Sequence, residues 1–503
     1  MYLKKVGGIE LMIGYVGKVG LAVGAWSLLP LAIIVFYPAE SQFAGSFILS
    51  GSTALLLGYL GYSGIRRNSK GILSDPLDMA AVLCSFAAAV LFFAYPFAAI
   101  QGLSVSEAVF EAVGGLTATG ISLLEPESSP RIIIAHRALL QLFGTCGFIA
   151  LLVYSRTATF AVPSGGKPGR GEGRIGIAPG DAFRILAVLG LYIFIGFLAY
   201  RITGVGWLDA FVLSVSSVTT GGFSPRSGSV GAYGSPAVEL VTMALMILGS
   251  MNLMFHSRIL RNPRTACAPH CETRSFLATL GVLAILGALA LAAGKPAFLA
   301  AIPSMGGRIV QGARISLFNL VSALTSTGFS TIDTASSPSP FFFLIVFATI
   351  SGGSALSLSG GVKQARIAIM AKDFLRNLKS MRGANRILGK TKIAYLGTCR
   401  ELENEETSSA RRYILLYLFS CALGSLALSA SGASAQASAL EFASLLGNSG
   451  FSAGVMVQGA PWPALWTGIL GMVLGRLEIY FFILALASLA PGAGRRAGNK
   501  RYV

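Results

Sequence analysis

The chain has 503 residues, of which 54% are apolar and only 12% charged, with a mean hydropathy of +0.70. Soluble domains carry about twice that share of charge, so a set of soluble domains, a disordered chain and an ordinary nucleic-acid binder are all excluded. Lys and Arg number 39 against 21 Asp and Glu, a net charge of +18, and in a polytopic membrane protein such an excess reports topology rather than a polyanionic partner.

A bilayer-crossing helix needs about 20 mostly apolar residues. Ten stretches meet that need: 11–37, 43–62, 79–100, 132–154, 183–203, 236–255, 276–298, 340–370, 412–431 and 464–490. The first follows Lys4 and Lys5 without a convincing cleavage site after it, and reads as an uncleaved span with its N-terminus inside. The eighth is too long and is interrupted in its middle. An even number of spans puts both termini on one side. Lys and Arg gather on that side, around 4–18, 66–70, 155–184, 256–275, 363–412 and 495–501. The outer loops are slightly acidic, so the inner side holds the whole of the +18 excess. By the positive-inside rule that side is the cytoplasm of a cell membrane. Cys84, Cys146, Cys267, Cys271, Cys399 and Cys421 are scattered and form no disulfide framework.

The outer connections after spans three, five, seven and nine each hold a short apolar run too brief to cross. Each run ends in a small, polar, Gly-containing sequence. The four are Thr117-Ala118-Thr119-Gly120, Thr219-Thr220-Gly221-Gly222, Thr325-Ser326-Thr327-Gly328 and Gly447-Asn448-Ser449-Gly450. This is an internal fourfold repeat of span, half-helix, loop and span. The predicted fold is therefore an all-α polytopic membrane protein of four membrane–pore-helix–membrane repeats plus two extra N-terminal helices. Its parts are a two-helix segment (1–70), repeat 1 (71–160), repeat 2 (181–262), repeat 3 (274–380, with an intramembrane loop at 351–361), a cytoplasmic linker (381–410), repeat 4 (411–492) and a basic tail (493–503).

Irregular backbone at membrane depth is tolerated only where protein buries it or where it lines a water-filled path. Four such loops offer rings of carbonyl oxygens that replace the hydration shell of a monovalent cation. Half-helices also point their negative C-terminal ends at the path. Glu107, Glu111, Asp209 and Glu441, on or beside the half-helices, would deepen the negative potential at its mouth.

Residues 351–361 read Ser-Gly-Gly-Ser-Ala-Leu-Ser-Leu-Ser-Gly-Gly, which holds no stiff helix in a bilayer. They are either a gate in the path or a small-residue helix-packing face. Lys363, just beyond, either hydrogen-bonds loop carbonyls or anchors span eight at the cytoplasmic surface. In the last span Arg476 is an ionisable group at membrane depth, and so marks function or a structural pair. Glu478, two residues on, faces elsewhere and reads as a packing partner to another helix.

On these motifs the chain resembles the Trk/Ktr/HKT superfamily of cation transporters, and looks most like its bacterial Trk-type pore subunits with two extra N-terminal spans. The resemblance covers residues 75–490. It rests on the four loops, Ser359-Gly360-Gly361-Val362-Lys363 and Leu474-Gly475-Arg476-Leu477-Glu478. It implies pseudo-fourfold symmetry around one pore, a homodimer, and gating through a cytoplasmic ring of nucleotide-binding regulatory subunits. It implies that the four loops form a K+ filter, with Gly120, Gly222, Gly328 and Gly450 favouring K+ over Na+. It also makes 351–361, including Gly352, Gly353, Ser359, Gly360 and Gly361, the gating loop, with Arg476 a barrier beneath the filter. Two departures stand out. Ile121 replaces the Phe that follows the other three glycines, and the fourth loop, Gly447-Asn-Ser, carries fewer hydroxyls.

The function so predicted is K+ uptake driven by membrane potential, with K+ as cargo and no nucleotide or nucleic acid bound by this chain. The alternatives are K+ symport with H+ or Na+, or a secondary transporter of Na+ or a small organic solute. The last would need a midplane pocket built on broken helices, and only the eighth span looks broken. No enzyme active site assembles. Cys267-Ala-Pro-His270-Cys271 lacks a full zinc ligand set, and Gly169-Arg-Gly-Glu-Gly lacks the strand and helix of a dinucleotide fingerprint. His136 and His256 read as interfacial residues near span ends.

Overall fold

The computed structural model describes residues 8–66, 75–154, 179–261, 271–294, 304–381, 392–395 and 398–489. The segment 155–178 and residues 262–270, which hold the Gly-rich stretch and most of the Cys/His cluster, lie outside the described residues. The chain divides into two compact units, residues 1–116, 128–159 and 477–503 in one and 117–127 with 160–476 in the other.

The first unit contains α1 (Gly8–Ser27), α2 (Ala44–Arg66), α3 (Asp75–Gln101), α4 (Val105–Leu116), α5 (Arg131–Tyr154) and, from the far end of the chain, the helix Ile479–Leu489. Helices α1 and α2 meet backbone to backbone. A Cβ on Gly17 would lie 2.5 Å from the Tyr62 nitrogen, and one on Gly58 2.6 Å from that of Leu21. In lipid, where apolar side chains gain little by leaving one another's company, such close van der Waals approach is what holds helices together. Pro30 ends α1, and the span finishes as a 3-10 helix, Leu29–Val35. The Glu40 carboxylate accepts from the Arg131 and Ile132 amides at 3.1 and 3.4 Å, satisfying the free N–H groups that begin α5. His136 is not interfacial. It is buried with its ring among those of Phe47, Phe93 and Phe97.

The second unit begins its helices with α6 (Pro179–Ile202), α7 (Trp207–Val218), α8 (Pro236–Ser250), α9 (Leu253–Arg261), α10 (Cys271–Gly294), α11 (Met305–Leu324) and α12 (Ser339–Ser351). Then come α13 (Gln364–Met381), the strands β1 (Lys392–Tyr395) and β2 (Thr398–Glu401), α14 (Asn404–Ala430), α15 (Ala435–Leu446) and α16 (Trp462–Leu477). The helix Ile479–Leu489 of the first unit is α17. The strands pair antiparallel, Lys392 opposite Glu401, and interrupt an otherwise helical chain within the stretch read as a linker.

Among the described residues, seven helices are long and apolar enough to cross a membrane. They answer to spans one to five, seven and nine. The other three predicted spans are each broken, not the eighth alone. The sixth breaks between α8 and α9 at Met251-Asn252, the eighth across Gly352–Lys363, and the last at Glu478, whose φ of +61° no helix allows.

Candidate functional site: four loops and the segment beneath them

The four half-helices are α4, α7, α11 and α15. Three have 12 residues and α11 has 20. Twelve residues reach about 18 Å, short of the roughly 30 Å hydrocarbon core. Serines set the starts of three of them, while α7 begins after Gly206 without a side-chain cap. Ser104 and Glu107 form a reciprocal cap on α4, while Ser304 and Ser434 accept from the Gly307 and Ala437 amides.

The ends are alike to a degree that local sequence does not suggest. Ala118, Thr220, Ser326 and Asn448, the second residue of each loop, have φ of 54°, 54°, 54° and 48°. In the last three repeats the amide one residue later bonds back across the end of the half-helix: Gly221 to Ser216, Thr327 to Ser322 and Ser449 to Ser444, at 2.8–2.9 Å. The preceding amides bond Ser217, Ala323 and Leu445. This is the Schellman helix end, whose left-handed residue is usually Gly. Here Thr220, Ser326 and Asn448 hold it and Ala118 shares their φ, at about 1–3 kcal/mol of strain each. The turn ends the half-helix abruptly and sends the next residues off along a new line.

Those next residues close into a ring, with all four loops in the second unit. A Cβ on Gly120 would lie 2.8 Å from the Gly222 carbonyl carbon. One on Gly222 would overlap the Thr327 carbonyl oxygen at 1.7 Å, and one on Gly328 the Ser449 carbonyl oxygen at 1.8 Å. One on Gly450 would lie 2.9 Å from Gly120 Cα. Each glycine therefore faces the backbone of the next loop, and the fourth returns to the first. Ile121, Phe223, Phe329 and Phe451, which follow the glycines, are all buried. Ile121 thus fills the same kind of position as the three aromatics.

The hydroxyls differ between loops. Thr117 pairs with Thr119 at 2.9 Å, and Thr325 with Thr327 at 2.8 Å. Thr219 instead bonds back to the Val215 carbonyl, and Thr220 to the carbonyl of Thr219. The fourth loop compensates through Asn448, whose Nδ2 donates to Thr119 Oγ1 at 2.9 Å and to the Met472 carbonyl at 3.0 Å.

The acids named from the sequence also have structural partners. Glu111 is buried against Arg137 at 3.3 Å, and Glu107 caps its own helix. Glu441 takes hydrogen bonds from Ser452 and from the Ala453 and Met456 amides, so it braces the chain leaving loop four. Asn319 stands at the same place in repeat 3 and bonds both the hydroxyl and the amide of Thr331. Asp209 bonds Tyr233 and Arg226. Sequence showed acids near loops; that most of their oxygens are consumed as braces needed the fold.

The broken eighth span is buried throughout 351–362. Its base is clamped where the Val362 and Lys363 amides bond the Ile350 and Ser351 carbonyls at 2.9 and 3.0 Å. Gln364 staples that base, its Nε2 donating to the Gly352 carbonyl at 2.9 Å and its Oε1 accepting from Ser275 of α10 at 3.0 Å. Gly352 and Gly361 sit side by side with φ of 67° and 79°, values that favour glycine. The tip of the loop is tied to the break in the sixth span: the Leu253 amide bonds the Leu356 carbonyl at 2.8 Å and the Ser354 amide the Ser250 carbonyl at 3.2 Å. Asn252, the polar residue in an apolar stretch, was the available sign of that break.

Beneath the ring the segment touches the end of α15. A Cβ on Gly360 would meet the Gly447 carbonyl oxygen at 2.0 Å, and one on Gly353 the Ser359 hydroxyl at 2.4 Å. Arg476, buried on α16, donates from Nη1 to the Leu358 carbonyl at 2.7 Å. Lys363 donates to the Ser359 carbonyl, which favours the loop-bonding reading over the surface anchor. The second helices of the other repeats carry a glycine against the last carbonyl of the half-helix: Gly144 at Leu116, Gly249 at Val218 and Gly475 at Leu446. In the third repeat the helix α12 gives way to this loop instead.

The profile of the family described as TrkH, a cation transport protein, matches residues 182–494. An uncharacterized cation transporter of Methanocaldococcus jannaschii is 27% identical over 488 residues, covering 96% of each chain. The Trk system potassium uptake protein TrkH of Halomonas elongata is 27% identical, over 76% of this chain and 78% of its own. The Escherichia coli K12 protein of the same name is 25% identical, over 77% and 80%. The crystal structure of the potassium transporter TrkH from Vibrio parahaemolyticus superposes with a TM-score of 0.82 at 22% identity, over 96% of this chain and 99% of that one, and so shares the fold.

Proposed function

The chain belongs to the TrkH family of cation transport proteins, and from that premise we propose that it is a potassium uptake protein with a carbonyl-lined filter. The observation that carries the reading is the ring of four glycines, each against the backbone of the next loop. Curated relatives named as Trk potassium uptake proteins support K+ as the cargo.

In this reading K+ enters from outside and exchanges its water for the loop carbonyls at Thr117–Gly120, Thr219–Gly222, Thr325–Gly328 and Gly447–Gly450. The C-terminal ends of four half-helices add negative potential there. A membrane potential of 100 mV supplies about 2.3 kcal/mol per cation, enough for accumulation without ATP. Below the ring the loop 352–361 blocks the path, held by Arg476 and Lys363. Opening requires that the Arg476 bond to Leu358 be released and the guanidinium moved from the path. The trigger in this reading is a cytoplasmic nucleotide-binding regulatory ring, acting on a homodimer whose termini are inside. The basic, amphipathic α13, with Phe374, Leu378 and Met381 exposed, directly follows the loop and could carry its movement.

The test is flux of K+, Rb+, Na+ and Li+ into liposomes holding the purified protein under an imposed potential. Selective K+ and Rb+ entry is expected without any proton or Na+ gradient. Indifference to monovalent cations would overturn the reading, and dependence on an H+ or Na+ gradient would convert it to symport.

A further inference from the structure

The fourth loop is the one the intramembrane segment packs against. Its first residue is Gly447, where repeats 1, 2 and 3 have threonine. The reason is contact: the Gly447 carbonyl abuts Gly360, and a Cβ on Gly447 itself would lie 3.1 Å from the Thr349 carbonyl. A side chain there would have to displace Thr349 slightly, and loop four lacks the threonine pair that ties loops one and three. It is the loop with the least internal bracing, at the place where a moving segment would push hardest.

Asn448 occupies that gap. It is buried, and it tolerates its φ of 48° because Asn enters the left-handed region more readily than most residues. Its single amide nitrogen reaches two bodies, the Thr119 hydroxyl of loop one and the Met472 carbonyl of α16. Met472 lies one helical turn before Arg476 on the same helix. The carboxamide orientation is fixed, because the Met472 carbonyl requires a donor.

We infer that Asn448 is a specificity-positioning residue: it closes the ring between loops four and one and holds the filter's geometry fixed while the segment beneath it moves. The inference rests on the filter reading above. Without Asn448, loop four follows the intramembrane segment, and the ring widens at the joint between Gly450 and Gly120. The consequence is lost discrimination rather than lost conduction.

The experiment measures the K+/Na+ flux ratio of the full-length protein in liposomes for Asn448→Ser, Asn448→Asp, Thr119→Val and the double variant Asn448→Ser/Thr119→Val, beside Gly120→Ser. Asn448→Asp keeps the shape and backbone preference but removes both N–H donors. Displacements of an ångström or less change selectivity steeply, so both Asn448 variants should lower the ratio by about tenfold or more while cation entry persists. Thr119→Val should lower it less. The double variant should be no worse than Asn448→Ser, because the two residues share one bond. Unchanged ratios at Asn448 beside an altered ratio in Gly120→Ser would overturn the inference and leave the filter standing. Unchanged ratios in all five would overturn the filter reading itself. Failure of both Asn448 variants to fold, with Thr119→Val folded and fully selective, would assign Asn448 to folding alone and also overturn the inference.

Discussion

The guanidinium of Arg476 donates to the Leu358 carbonyl at 2.7 Å, joining the last crossing of repeat 4 to the tip of the broken eighth span, residues separated by 118 positions. One buried cation therefore holds the loop, and under the proposed function it also places a positive charge in the ion path. At an effective dielectric of about 20, a unit charge about 4 Å from a second one is worth roughly 4 kcal/mol. Replacing Arg476 with Ala or Gln should raise K+ flux by an order of magnitude or more. Flux of a correctly folded Arg476→Gln protein at or below the wild-type level would contradict the barrier role.

The loop itself should be separable from its latch. Deleting residues 353–358 should raise flux and remove its dependence on any cytoplasmic regulator. Lys363→Met should do so in part, because it frees the Ser359 carbonyl while leaving the Arg476 bond in place. Liposome flux with and without regulator distinguishes the three proteins.

The ring predicts unequal costs for its glycines. Ala at Gly222 or Gly328 would drive a methyl into a backbone carbonyl oxygen at 1.7 or 1.8 Å and force a positive φ on a residue that resists it. Both should abolish selective transport. Gly120 is not in that left-handed region and its Cβ would lie 2.8–2.9 Å from Gly222 backbone. Gly120→Ser must still shift that backbone but carries no φ penalty, so it should be milder than either and admit more Na+. Gly190, with open space around it, should accept Ala with no change in flux, which controls for expression.

On the outer surface the Glu127 carboxylate accepts from the Ser227 amide at 2.7 Å and from its hydroxyl, linking the segments that follow loops one and two. These bonds, the hydroxyl first, hold the Glu127 carboxyl below its ordinary 4.5. A depressed carboxyl favours the folded form above its unfolded pKa and loses that contribution as pH falls through the lower, folded value. The clasp should persist at pH 5 and open only below 4.5. In Ser227→Ala, carboxyl titration by NMR should show Glu127 return toward 4.5; an unmoved titration would remove the clasp.

Glu111 and Arg137 are a buried ion pair at 3.3 Å, and removing the carboxylate takes this partner from a buried cation. Glu111→Ala should cost roughly 3–5 kcal/mol, seen as a lowered melting temperature in detergent. The surviving folded fraction should keep its ion preference, since Glu111 here braces the first unit rather than facing the ion.

Much of this molecule was legible without coordinates. Hydropathy located the spans because a bilayer admits few polar side chains, and among the described residues seven of them are helices long and apolar enough to cross. The recurrence of a small, Gly-ended loop after every odd span from the third onward marked the site, because only a shared geometric demand repeats at that spacing. The Gly- and Ser-rich run at 351–361 betrayed a break by composition. The breaks at Met251-Asn252 and Glu478 were missed, since one or two polar residues in an apolar run are equally compatible with a continuous helix.

What the sequence alone determined was the class of protein and the four places where its backbone leaves the half-helices. Those properties follow from local composition against a membrane. Only the tertiary structure decided which groups act on which: that the acids brace the chain, that Asn448 reaches Thr119, and that Arg476 grips Leu358. These pairings lie 329 and 118 residues apart in the chain. The net charge of +18 is a property of composition; that Arg476 and Lys363 both donate to carbonyls of the broken eighth span is a property of the fold alone.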